Sequence, residues 1–213
     1  MRNIRIVNCE QRSEEWFAAR AGRVTGSRAA DVMAKIKSGE AAARRDYRLQ
    51  LAVERITGKP MDQGGFVTAD MQRGIDLEPK ARQAFIDKSG LPVAETGFVV
   101  RDDMPIGCST DGDLNDFEGI LEIKCPKSAT HIEYLKGNRI PPKYVWQVTH
   151  NVFTTGAKYA HFVSYDDRLP AYLDYFSVTV SRADLPIAEY VFELKHFLAE
   201  VESEYQELLK LKA

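Results

Sequence analysis

The sequence predicts one α/β domain, a mixed β-sheet flanked by helices, and three observations predict it. Apolar residues at helical spacing occupy both ends of the chain. Short apolar runs of strand type fill the middle, broken by one further helix. No repeat, low-complexity stretch or linker interrupts the 213 residues, and 44% hydrophobic content lets one unit bury a sizeable core. The domain is therefore expected to span residues 1–213.

Ser13 before Glu14 and Glu15 has the form of a helix cap, leading into Trp16 and Phe17. Ser27 is expected to cap a second helix ending near Ile36, after Gly22-Arg23-Val24-Thr25-Gly26. A helix rich in Ala, Arg and Leu runs over about 40–57 and stops at Gly58-Lys59-Pro60. Another covers about 68–89, where Pro79 imposes a fresh start or a kink near Leu77-Glu78. Strands are expected at about 93–100, 107–114, 120–124, 159–164 and 172–180, with a helix at about 144–154. The stretch 185–211 carries Ile187, Leu194, Leu198, Val201, Tyr205 and Leu208 at three-to-four spacing, a long amphipathic helix. It packs on its own sheet or forms a subunit contact.

The most informative segment, 119–126, reads Gly-Ile-Leu-Glu-Ile-Lys-Cys-Pro. In a strand Glu122 and Lys124 share one face, and Leu121, Ile123 and Cys125 share the other. Asp111 lies in Cys-Ser-Thr-Asp-Gly-Asp-Leu, and the intervening Asn-Asp-Phe-Glu-Gly reads as a turn between antiparallel strands. Asp111 would then sit beside Glu122. Two carboxylates held together repel, and a hard divalent cation such as magnesium relieves that repulsion. The alternative is a surface ion pair, because Glu-x-Lys recurs at Glu78-Pro79-Lys80 and Glu193-Leu194-Lys195 in helix-like surroundings, where such pairs face solvent.

A net charge of −2 neither supports nor excludes a nucleic-acid partner. Basic residues gather at Arg20, Arg23 and Arg28, at Arg44, Arg45 and Arg48, and at Lys136, Arg139 and Lys143; each group is a solvated face or a phosphate contact. Ser27 at a helix start, with Arg20 nearby, forms a phosphate cradle or an ordinary cap. Cys9, Cys108 and Cys125 are too scattered for a zinc or iron–sulfur site. Their odd number and the lack of a secretory pattern point to reduced thiols in the cytoplasm. No segment reaches the roughly 20 apolar residues that span a bilayer.

Asp111 followed by Glu122-Ile123-Lys124 resembles the PD-(D/E)xK nuclease signature. More narrowly, five blocks resemble the lambda exonuclease and YqaJ-type viral recombinase family: WFAARAGRVTGS at 16–27, GIDLEPKARQAF at 74–85, CSTDGD at 108–113, LEIKCP at 121–126, and YVWQ at 144–147 with Gly156. The resemblance implies a restriction-endonuclease-like fold and a magnesium-dependent exonuclease, using two ions with manganese as a substitute. Asp111, Glu122 and the Ile123 carbonyl would hold one ion, and Asp111 with Glu78 the second. Lys124 would orient or deprotonate the attacking water, and Gln147 matches a polar position near the site. Without the resemblance, Glu78 reads as an exposed glutamate and Gln147 as a helix residue with a buried hydrogen bond.

The family likeness also implies 5′-to-3′ digestion from a double-stranded DNA end, with Arg20, Ser27 and Ser109 matching a pocket for the terminal 5′-phosphate. One departure is that the founding member carries an arginine shortly after Lys-Cys-Pro, where this chain has Lys127-Ser128-Ala129-Thr130-His131; Lys127 or His131 would substitute. A homotrimeric ring, a single-strand annealing partner and a phage or prophage origin in a bacterial cell are further implications. Two other functions fit the motif less well. A different PD-(D/E)xK endonuclease or junction resolvase leaves the Arg20 and Ser27 block unexplained, and a silent DNA-binding module has no use for an intact Asp111, Glu122, Lys124 set.

Overall fold

The structure is a computed structural model describing residues 3–61 and 67–211. Strand β1 (Ile4–Val7) leads to α1 (Glu14–Arg20), β2 (Val24–Thr25), a 3-10 turn at Gly26–Arg28 and α2 (Ala29–Val32). Helices α3 (Ala42–Thr57) and α4 (Ala69–Ser89) precede β3 (Phe98–Arg101), β4 (Ile106–Cys108), β5 (Gly112–Leu114) and β6 (Gly119–Lys124). The chain continues through α5 (Ser128–Gly137), α6 (Pro142–Thr155), β7 (Tyr159–Tyr165), β8 (Tyr175–Ser181) and α7 (Ile187–Lys210).

The strands form two four-stranded ladders, β1-β3-β4-β2 and β5-β6-β7-β8. Both are mixed, with β2 parallel to β4, β6 parallel to β7, and the other neighbours antiparallel. The strand expected over 107–114 is divided between them at Ser109–Asp111. There the Asp111 N–H still donates to the Leu121 carbonyl at 3.0 Å, extending the β5–β6 pairing to the site. The strand expected from residue 93 survives only as β3 and a single bridge from Ala94 to Asp113. The expected turn between β5 and β6 is present, with Asn115, Asp116 and Phe117 in left-handed conformation at φ 56°, 54° and 56°.

Helices cover both faces of the second ladder. Ala81 and Phe85 of α4 pack on Leu114, Leu121, Ile123 and Val163. On the opposite face, Val148 and Val152 of α6 pack on Ile120 and Phe162 and reach Val99 and Cys108 of the first ladder. The period-two assignment of β6 therefore holds, and Glu122 lies on the face beneath α6. One helix thus welds the two ladders into a single core, and burying each large side chain contributes about 1.5–3 kcal/mol.

Helix α7 packs within the chain, setting Tyr190, Leu194, Phe197 and Val201 against Tyr47 and Leu51 of α3. This contact settles the basic group on α3. Arg44 pairs with Glu200 at 2.9 Å and Arg48 with Glu204 at 3.2 Å, while Arg45 turns to Asp46 at 2.8 Å.

Helix α4 continues through Pro79, so the expected fresh start is absent. Ser27 is not a helix cap: it sits inside the 3-10 turn, and α2 is a four-residue helix ending at Val32. Ser13 does cap α1, accepting from the Trp16 N–H at 3.2 Å. Among the described residues no helix is long and apolar enough to cross a membrane.

Candidate active site

The parting of the ladders opens a cleft of about 460 Å³. Its lining includes Glu78, Asp111, Ile123, Lys124 and Gln147 together with Arg20, Ser27 and Ser109. Residues far apart in the chain are thus brought to one place; Glu122 lies behind this lining, bonded to its Lys124, Gln147 and Asn151, and two expected members are elsewhere. His131 is fully buried in α5, where its ring nitrogens meet the Ser164 hydroxyl at 2.7 Å and the Leu173 carbonyl at 2.8 Å. Lys127 lies outside the lining, on the surface, paired with Asp70 at 2.9 Å. Asp70 itself lines the cleft, which puts Lys127 beside its rim.

Glu122 is 1% exposed and is held from three sides. Lys124 Nζ lies 2.5 Å from Oε1, the Gln147 amide donates to the same oxygen, and Asn151 Nδ2 donates to Oε2 at 3.0 Å. Gln147 and Asn151 are one helical turn apart on α6, so they meet one carboxylate. Asp111 accepts from the Ile123 N–H at 2.6 Å. Arg82, one turn after Glu78 on α4, donates to Glu78 at 2.7 Å and to the Asp111 carbonyl at 2.9 Å. Asn151 and Arg82 escaped the sequence reasoning; their spacing of four from Gln147 and Glu78 is the signal that marks them.

The carboxylates oppose one another electrostatically. Burial pushes the Glu122 carboxyl up to about 7, with Lys124 opposing the shift and Asp111 adding to it. Burial and the Asp111 charge push Glu78 up to about 7 as well, against the pull of Arg82. Asp111 is raised by burial despite Lys124 and its bond to Ile123. Burial works against the Lys124 ammonium, but Glu122 and Asp111 outweigh it and hold the group above its ordinary value. A site in which three acids are driven toward protonation is one that a cation stabilises.

The donor chemistry, carboxylate oxygens with one backbone carbonyl, suits a hard divalent ion that keeps part of its water shell. Among the described residues no three His, Cys, Asp or Glu side chains converge into a complete cage. The Ile123 carbonyl and water would complete the coordination.

The opposite wall is organised by Trp16. Its indole Nε1 donates to Ser109 Oγ at 2.8 Å, and its ring lies 4.0 Å beneath the Arg20 guanidinium, which also donates to Thr25 at 3.5 Å. Arg23 and Arg28 turn away, to the Ala19 carbonyl and to Asp31. His150, between Gln147 and Asn151, fixes α6 to β4 and α7. The Gly107 carbonyl only accepts, so Nε2 carries the proton it donates at 2.9 Å, and Nδ1 accepts from the Tyr190 hydroxyl at 2.6 Å. Burial lowers this imidazole to about 4, keeping it neutral.

Residues 15–158 match the family model described as the YqaJ-like viral recombinase domain. The chain belongs to the YqaJ-like viral recombinase family. Among solved structures it is similar to an alkaline exonuclease, LHK-Exo, from Laribacter hongkongensis, at 42% identity over 94% of this chain and 98% of that one, with a TM-score of 0.83. A structure of LHK-Exo in complex with dAMP matches at 42% identity, the same coverage and a TM-score of 0.84. A phage-related exonuclease from Haemophilus somnus 129PT shares the fold, with a TM-score of 0.65 at 14% identity over 90% of this chain and 96% of that one. No curated protein sequence matches. The family member described here is thus a nuclease of the alkaline exonuclease and YqaJ-like group.

Proposed function

We propose that this protein is a magnesium-dependent 5′-to-3′ exonuclease that degrades one strand of double-stranded DNA from an end and exposes a 3′ single strand for annealing. One observation carries the reading: Asp111, Lys124 and Gln147, the last two holding Glu122 from the cleft side, line the same cleft as Arg20, Ser27 and Ser109. A phosphodiester-cutting group and an anion-binding group therefore share one enclosure.

Glu78, Asp111, Glu122 and the Ile123 carbonyl would hold two magnesium ions, which supply charge neutralisation at the attacking and leaving oxygens of an in-line displacement. Lys124 sits against Glu122 at 2.5 Å, where it would orient or deprotonate the attacking water and offset charge on the phosphoryl oxygens. Gln147 and Asn151 hold the Glu122 carboxylate in one orientation. Arg20, braced on Trp16, and the Ser27 and Ser109 hydroxyls bind the terminal 5′-phosphate. The dAMP bound by LHK-Exo is a nucleoside monophosphate, the product class such an enzyme releases. A ring of three subunits, with the complementary strand passing through it, and an annealing protein as partner in the bacterial cytoplasm complete the proposal.

A linear duplex labelled on both strands, offered with magnesium and either a 5′-phosphate or a 5′-hydroxyl end, tests it beside a closed circle. Mononucleotides from the 5′-phosphorylated strand with the circle intact are expected. Cleavage of the circle makes the protein an endonuclease and removes the role given to Arg20, Ser27 and Ser109.

A further inference from the structure

Arg12 has a left-handed backbone, φ 73°, which arginine rarely adopts and which among the described residues otherwise falls on glycines, the 115–117 turn and the Asn138 helix cap. Such an irregularity directs attention to the side chain it presents. Among the described residues its guanidinium makes no hydrogen bond or ion pair, although its charge reaches Glu78 and favours that carboxylate. It is an exposed cation standing beside the acids of the cleft.

Arg12 also lines a second cavity of about 630 Å³. That cavity shares with the cleft only the wall formed by Gln11, Arg12, Ile75, Glu78 and Asp111, and it includes none of Arg20, Ser27 or Ser109. A strand whose 5′ end occupies the Arg20 pocket and whose first linkage lies at Asp111 has this second cavity ahead of it. Of the two cations lining that cavity, Arg82 is engaged by Glu78, Glu95 and the Asp111 carbonyl, so Arg12 is the one left to meet a phosphate.

Resting on the function proposed above, we propose that Arg12 binds the phosphodiester one step downstream of the linkage being cut, in the strand that the enzyme retains. A planar guanidinium with no partner among the described residues suits a phosphate diester, whose two unbridged oxygens accept paired hydrogen bonds. The retained strand is then gripped on both sides of the reacting carboxylates.

The test follows release of the first nucleotide from a 5′-phosphorylated duplex in magnesium, with the second linkage either native or a neutral methylphosphonate. Arg12→Gly is the variant, because glycine adopts this backbone freely and an unchanged melting temperature verifies the fold. With wild-type protein the methylphosphonate is expected to slow release about five- to tenfold, and Arg12→Gly to lose about as much on the native duplex, the loss of one charge-assisted bond at an exposed site. Arg12→Gly should then be indifferent to the methylphosphonate. Undiminished release by Arg12→Gly, or losses that multiply when the two changes are combined, overturns the assignment and leaves the exonuclease reading standing. Wild-type protein that releases nothing from the native duplex overturns that reading, and this one with it.

Discussion

Gly26 and Asn151 form a packing pair whose disturbance should be felt at Glu122. A methyl group built on Gly26 overlaps Asn151 Oδ1, and both residues are buried. Asn151 has two ways to yield. Remaining in place means overpacking, which costs about 1–3 kcal/mol. Rotating away forfeits its 3.0 Å bond to Glu122 Oε2, and a hydrogen bond to a charged group contributes about 1.5–3 kcal/mol. Either route makes Gly26→Ala cost on the order of 2 kcal/mol, even though Gly26 contacts neither Glu122 nor Lys124 in any bond described above. In an Asn151→Ala background the obstacle is gone, so the same Gly26→Ala change should cost close to nothing. Urea unfolding of the four proteins in EDTA measures the coupling directly, and turnover should fall in Gly26→Ala because Glu122 loses one of its three holders. An equal cost of Gly26→Ala in both backgrounds refutes the reasoning.

Lys124→Ala should keep its affinity for a 5′-phosphorylated duplex and lose cleavage by about 10²–10⁴-fold; loss of binding without loss of turnover on bound DNA contradicts the role given to the ammonium. With Glu122 raised to about 7, the metal-free native protein binds more protons than the unfolded chain between pH 4.5 and 7, so this group makes stability fall as pH rises through that window. The stability of wild type relative to Glu122→Gln in EDTA should therefore shrink from pH 5 to pH 8, by at most on the order of 3 kcal/mol, and a widening gap in calorimetry opposes it. Arg44→Ala, losing Glu200 and the Phe197 ring, should cost about 1–2 kcal/mol in unfolding while leaving the salt dependence of DNA affinity unchanged; a flatter salt slope returns the α3 arginines to the DNA surface.

The parts of the site legible in the sequence were those fixed by local periodicity. Glu122 and Lys124 follow from alternation in a six-residue strand, and Asp111 from the turn that pairs β5 with β6. The parts that were not legible depend on packing between distant elements. His131 sits where a phosphate ligand was expected, yet α5 buries it completely against β7, and no residue spacing announces a histidine taken up by Ser164. Arg44 and Arg48 looked available because their acidic partners Glu200 and Glu204 lie some 156 positions away on α7. Strand β2 has two residues and β1 four, too short for a periodic pattern to emerge. Pro79 starts no new helix because α4 is anchored on both sides of it, by Arg73 on Asp166 before and by Ala81 and Phe85 on the β6–β7 surface after, which offset one missing helical hydrogen bond.

The division of one expected strand at Ser109–Asp111 has a metrical meaning. Ser109 belongs to the wall that would seize the end of the DNA and Asp111 to the wall that would cut it, and only Thr110, itself buried, separates them. Two residues of extended chain measure about 7 Å. Holding and cutting are thereby linked by covalent backbone rather than by the meeting of mobile surfaces. On the proposed function, this gives the enzyme a gauge one nucleotide long, which no rocking of the two ladders can lengthen.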